Sequence, residues 1–211
     1  MPLAVRRPMA AVWAIDLALA DVISTTTEPA LGAIRLAWWR EQLERLDTGA
    51  QPPPEWRLRE VATELVPRGI SGLDLAGLED GWLPLLEPFP WHEPVAAGLR
   101  LRGRILFSLG ARLLNGDAAD VSVAGELWSL VDGARHCSDV HSRIFLLGEA
   151  REVMHNLPES RPPKFLRRLT GLAAMAAHDV LKNKPLDLPY ESAGRGMAAM
   201  LHYARGTLPH G

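Results

Sequence analysis

Apolar residues recur along most of this chain at the three-and-four spacing of an amphipathic helix. No segment alternates polar with apolar for long enough to argue for a half-buried strand. The punctuation between periodic runs predicts about eight or nine helices. The first runs from about Pro8, a good first-turn residue, to Val22. The second follows Thr25–Thr27, where a threonine can cap and Pro29 can occupy the first turn, and reaches about Leu46. Three consecutive prolines make 48–54 a loop, and a third helix covers about Glu55–Val66.

Ser71 and Asp74 form a capping-box pattern ahead of Leu75, Leu78, Trp82 and Leu85. A long helix is predicted from about Pro94 to Leu114, and another begins near Ser122. Ser138 or Asp139 can cap a successor that reaches about His155. Phe165–Leu181 carries a further apolar stripe, and a short helix at Gly194–Arg205 closes the series. The fold class is all-α, expected as a single helical domain over 1–211, because the Pro-rich stretches at 52–54 and 158–163 are short enough to be turns within one domain.

Composition agrees with the pattern. Leu and Ala, which lose little rotamer freedom in a helix, far outnumber the β-branched residues. The net charge is −2 and neither half of the chain is lopsided, so no basic face for a nucleic-acid backbone is implied. A lone cysteine, Cys137, excludes an internal disulfide and suits a reducing, cytoplasmic setting. No run of about 18 uncharged apolar residues occurs, which argues against a membrane-spanning helix. Arg6 and Arg7 ahead of Pro8–Ile15 imitate a short signal peptide. Asp16 and Asp21 break that apolar stretch, however, and the segment is expected to be helix.

The most distinctive segment is Glu28-Pro29-Ala30-Leu31-Gly32-Ala33-Ile34-Arg35-Leu36-Ala37-Trp38-Trp39-Arg40-Glu41. As a helix it presents Leu31, Arg35 and Trp38 on one face and Leu36, Trp39 and Leu43 on an adjacent one, which implies burial between neighbours. Arg35 would then need a carboxylate, a carbonyl or a ligand oxygen, or would stack on an indole.

This segment resembles the squalene/phytoene synthase family, in particular a bacterial branch similar to the mitochondrial assembly factor of respiratory complex I. The specific match covers about one helix, with weaker similarity in Ala10–Val22, Arg104–Leu114 and Ala124–Arg143. The resemblance implies the all-α isoprenoid-synthase fold. Active members of the family join prenyl diphosphates head to head with Mg²⁺ held by two aspartate-rich motifs. Aspartates four apart serve that chemistry because they leave one face of a helix together, and the clamped ion stabilises the departing diphosphate.

This chain departs from that pattern. No two aspartates lie four apart. Asp16 and Asp21 are five apart, about 140° around a helix. Where the second motif belongs stands Arg135-His136-Cys137-Ser138-Asp139-Val140, with His136 and Val140 in the places of the motif's aspartates. Such a set is no hard-oxygen cage, so no metal and no cofactor is expected. Glu60 with Glu64, and Asp187 with Glu191, have the four-residue spacing; the first pair reads as a solvated face and the second straddles Pro189 in a turn. Glu149 and Glu152 read as surface partners for Arg151 and Arg143.

His136, Cys137, Asp139 and His141 match no strong zinc spacing. Arg100 and Arg104 share a helix face, with Arg102 nearly opposite, and can receive a diphosphate or an acidic partner. Among the tryptophans, Trp56 and Trp91 sit beside prolines and are candidates for a partner surface. The leading expectation is a non-catalytic family member binding a protein or an isoprenoid lipid, with a possible role in respiratory-complex assembly and peripheral association with the inner face of a membrane. Arg35, Trp38, Trp39, Arg100, Arg104 and Arg135 are its candidate contacts. The alternative is a divergent Mg²⁺-dependent prenyltransferase whose candidate acids are Asp16, Asp21 and Asp139.

Overall fold

The computed structural model describes residues 3–157, 160–182 and 192–208. These residues are all-helical, with no strand among them. The chain folds as two compact units, Met1–Pro88 and Phe89–Gly211.

In the first unit, α1 (Leu3–Thr25) and α2 (Pro29–Leu46) are followed by a broken helix. It begins as α3 (Trp56–Glu60), widens into a π-helical turn over Val61–Leu65 and tightens into a 3₁₀ turn over Val66–Arg68. Two short helices, α4 (Gly72–Ala76) and α5 (Leu78–Trp82), follow, and a 3₁₀ turn over Leu83–Leu86 completes the unit's helical elements. α1 extends beyond its predicted start, so Pro8 lies inside it. The amide that proline lacks would have paired with an exposed first-turn carbonyl, which water can serve instead. The threonines before α2 do not cap it. Thr25 and Thr26 return their hydroxyls to the carbonyls of Asp21 and Val22 and finish α1, while Glu28 occupies the N-cap of α2 without a side-chain bond.

At α3 and α4 polar side chains set the helix starts. Glu55 accepts from the amides of Arg57 and Leu58 to start α3. The Ser71–Asp74 box is formed in both directions, at 3.0 and 2.8 Å. Asp47, just past α2, accepts from the amides of Gly72 and Leu73 and so ties the end of α2 to the start of α4. α1 is long and apolar enough to cross a membrane by length and composition, against the sequence expectation. Half of its most apolar window is buried in the fold, and it packs against α2, α3 and α5.

The second unit contains α6 (Glu93–Leu113), α7 (Ser122–His136), α8 (Val140–His155), α9 (Arg167–Lys182) and α10 (Ala193–Arg205). α7 is central, packing against α6, α8 and α9, and α10 lies along α9. α6 and α7 meet at Gly103 and Gly125, where a Cβ on either would fall 2.1–2.3 Å from the other's carbonyl oxygen. Only glycine permits that approach. Asp139 caps α8, accepting from the amide and hydroxyl of Ser142, whose Oγ in turn accepts from the amide of Trp91. Trp91 is therefore buried, contrary to its expected role at a surface. Trp56 is exposed, as expected, and lies beside the guanidinium of Arg57.

Candidate functional site

The candidate acids lie in different surroundings. Asp16 is buried on α1, and its Oδ1 accepts the indole N–H of Trp82 on α5 at 2.9 Å. Asp21, further along α1, is largely exposed and faces Arg57 at 3.5 Å. Asp139 is the cap of α8, and its hydrogen bonds from Ser142 hold its carboxyl below the usual aspartate range. Asp187 and Glu191 lie outside the described residues. Among the described residues, no group of three or more His, Cys, Asp or Glu is placed to hold a metal ion. His136 and His141 are exposed, whereas burial pushes the Cys137 thiol up from its ordinary value.

The α2 segment is half as buried as its pattern implied. Leu36, Trp39 and Leu43 pack inward, while Leu31, Ile34 and Trp38 are exposed. Both faces are apolar, but only one meets neighbouring helices. Trp38 and Trp39 contact edge to face at 5.2 Å. Arg35 donates to the hydroxyls of Thr25 and Thr26, neither carboxylate nor indole.

Candidate arginines in the second unit meet carboxylates. Arg100 pairs with Glu149 of α8 and with Glu93, and Arg104 pairs with Glu126 of α7. Glu149 thus bridges α8 to α6, in place of the surface pairing within its own helix that its spacing suggests. Arg143 turns to the carbonyl of Cys137.

Beneath them runs a buried charged layer that sequence spacing did not reveal. Arg102 meets Asp132 at 2.9 Å and lies over the Trp128 ring at 4.8 Å. Arg135 of α7 and Arg195 of α10 both reach Oδ2 of Asp179 on α9, at 3.1 and 3.3 Å. Burial pushes the Asp179 carboxyl above its ordinary value, against the pull of Arg195 and Arg135. A cavity of about 90 Å³ borders this layer, lined in part by Trp128, Asp132, Arg135 and Arg195.

α10 has its polarity reversed. Its buried residues are Arg195 and His202, two turns apart on one stripe, while Met197, Met200, Leu201 and Tyr203 are exposed. His202 Nδ1 donates to the Thr207 carbonyl, leaving Nε2 to accept the Thr170 hydroxyl of α9 at 2.7 Å. Burial holds its imidazole below the ordinary histidine range, and Arg167 also disfavours the charged ring. Arg167 donates to the carbonyls of Tyr203 and Ala204 in the last turn of α10.

Between α9 and α10 lies an open groove of about 570 Å³. Gly171, Leu172, Met175, Met200 and Tyr203 contribute to its lining, and Arg167 and Arg168 border it. The Arg168 guanidinium is 5.6 Å from the centre of the Tyr203 ring. Asp179, Arg195, His202 and this groove were not singled out from sequence. The available signal was the two-turn spacing of Arg195 and His202 opposite a methionine stripe. No known family, curated protein or solved structure matches the chain.

Proposed function

We propose that this protein is a non-catalytic, squalene/phytoene synthase-like binding protein that holds the chain of an isoprenoid lipid in the groove between α9 and α10. The observation carrying this reading is the groove itself. Widely open to solvent and about 570 Å³ in volume, it is a trough rather than the enclosed cleft typical of small-molecule sites. Methionine, leucine and tyrosine walls suit a flexible apolar chain, because thioether side chains adapt their shape at little cost. Supporting the non-catalytic part, Asp16 serves a buried indole and Asp139 serves a helix cap. An acid committed to a structural bond is poorly suited to clamp an ion.

The groove floor supplies a direct test. A Cβ at Gly171 would meet only the Ala199 methyl, at 4.0 Å, so a side chain can begin there without a clash; an unchanged circular dichroism spectrum and melting temperature check that a larger one leaves the helices in place. Saturable binding of a fluorescent farnesol analogue, displaced by geranylgeraniol, is expected, with loss of at least tenfold in affinity in Gly171→Phe. Binding unchanged by that substitution would overturn the assignment of the groove. Mg²⁺-dependent release of diphosphate from geranylgeranyl diphosphate would restore the transferase alternative.

A further inference from the structure

We propose that the outward face of α10, together with the basic rim supplied by α9, docks this protein on an anionic lipid bilayer. This rests on the lipid-binding reading and extends it to the surface on which the lipid is met. An amphipathic helix in a water-soluble fold normally turns its apolar stripe to the core. α10 does the opposite. Arg195 and His202 face inward, and Met197, Met200, Leu201 and Tyr203 are 55, 69, 44 and 38% exposed. A contiguous exposed apolar surface of this kind marks an interaction site.

The surrounding charge selects the occupant. In the described residues of 160–208, every charged side chain that reaches solvent is basic, including Arg161, Lys164, Arg168, Lys182 and Arg205. The only acid among those described residues is Asp179, buried against Arg135 and Arg195. Apolar residues on one helical face, with cationic side chains as the exposed charges of these described residues, match a bilayer interface carrying negative headgroups, where nearby Lys and Arg side chains add electrostatic attraction to apolar insertion. The exposed stripe of Leu31, Ile34 and Trp38 on α2 lacks this border, since Glu28, Glu41 and Glu44 stand among its exposed neighbours.

Vesicle flotation tests the proposal with the full chain. Binding to phosphatidylcholine vesicles containing phosphatidylglycerol is expected to exceed binding to phosphatidylcholine alone by at least tenfold and to weaken as salt rises. Arg168→Glu with Arg205→Glu should weaken it about tenfold or more, and Met197→Glu with Leu201→Glu, exposed residues outside the groove lining, should abolish it. These side chains are exposed, so an unchanged circular dichroism spectrum and melting temperature will show that the variants fold.

Ile34→Asp on α2 should bind vesicles like the wild type. Absence of flotation, equal binding to neutral vesicles, loss of binding in Ile34→Asp, or a dimer that Met200→Glu dissociates would each overturn the proposal. Gly171→Phe separates the two readings. It should lose the farnesol analogue yet still float, so failure of the groove and failure of the bilayer face give different results.

Discussion

Asp16 and His202 illustrate how a buried polar side chain is tolerated when its surroundings complete its hydrogen bonds. At Asp16, the Trp82 indole N–H meets a carboxylate removed from water. Trp82→Phe removes that donor and part of the packed indole, and is expected to cost about 1–3 kcal/mol or more in a denaturant titration. His202 imposes a pH dependence whose sign follows from its surroundings. Burial lowers its folded pKa below the ordinary 6.5, so the unfolded chain takes up the proton first as pH falls.

The stability that neutral His202 contributes is therefore complete above about pH 6.5 and declines below it. Asp179 works in the opposite direction. With its folded pKa above the ordinary 3.8, the fold takes up that proton before the unfolded chain does. Thermal melts between pH 8 and pH 5 should show a shallower decline in His202→Gln than in the wild type; parallel profiles would refute the assignment.

Among the helices, the clearest geometric constraint is the α6–α7 crossing. A methyl group at Gly103 would overlap the Gly125 carbonyl, and backbone cannot swing aside as a flexible side chain can. Gly103→Ala is expected to cost about 3 kcal/mol or more despite the better helix propensity of alanine, measurable as a lower denaturation midpoint with unchanged slope. Most helices were legible in the sequence because periodicity and capping are local. The Ser71–Asp74 box, the Asp139 cap and the Ala193–Arg205 helix follow from neighbours within a turn or two.

What was not legible is which side of a helix meets the core. Both faces of α2 are apolar, and only packing decides that Trp39 is buried while Trp38 is exposed. Amphipathicity in α10 is plain from its residues, but its direction is not, because the polar stripe is held inside by Asp179 and Thr170 on another helix. Pairings such as Arg100 with Glu149 join distant parts of the chain, so spacing could not reveal them.

For the molecule as a whole, the chain divides into two compact units, 1–88 and 89–211. The second is organised around α7 and buries apolar residues on α6, α7, α8 and α9, including Leu99, Phe107, Leu130, Leu146 and Ala173. A fragment spanning 89–211 should therefore fold alone, with a helical circular dichroism spectrum and a cooperative melt. A fragment lacking that transition would mean that the unit depends on residues 1–88 for its stability. Charge follows the same division into local roles: the interior of the second unit places arginines against aspartates, while its described C-terminal surface is cationic.

The reversed polarity of α10 also affects how firmly that helix is held. Its fully buried side chains are an arginine and a histidine, so it adheres through a few directional bonds with little hydrophobic adhesion behind them. Such a segment can lift away without dissolving the α6–α7 core. In native-state hydrogen exchange, the α10 amides should open at a much smaller free energy than those of α7, and their protection should fall further when Arg195→Met removes one tether. A helix with an apolar face towards solvent would then also detach readily, free to change what it rests on while the remainder of its unit stays folded.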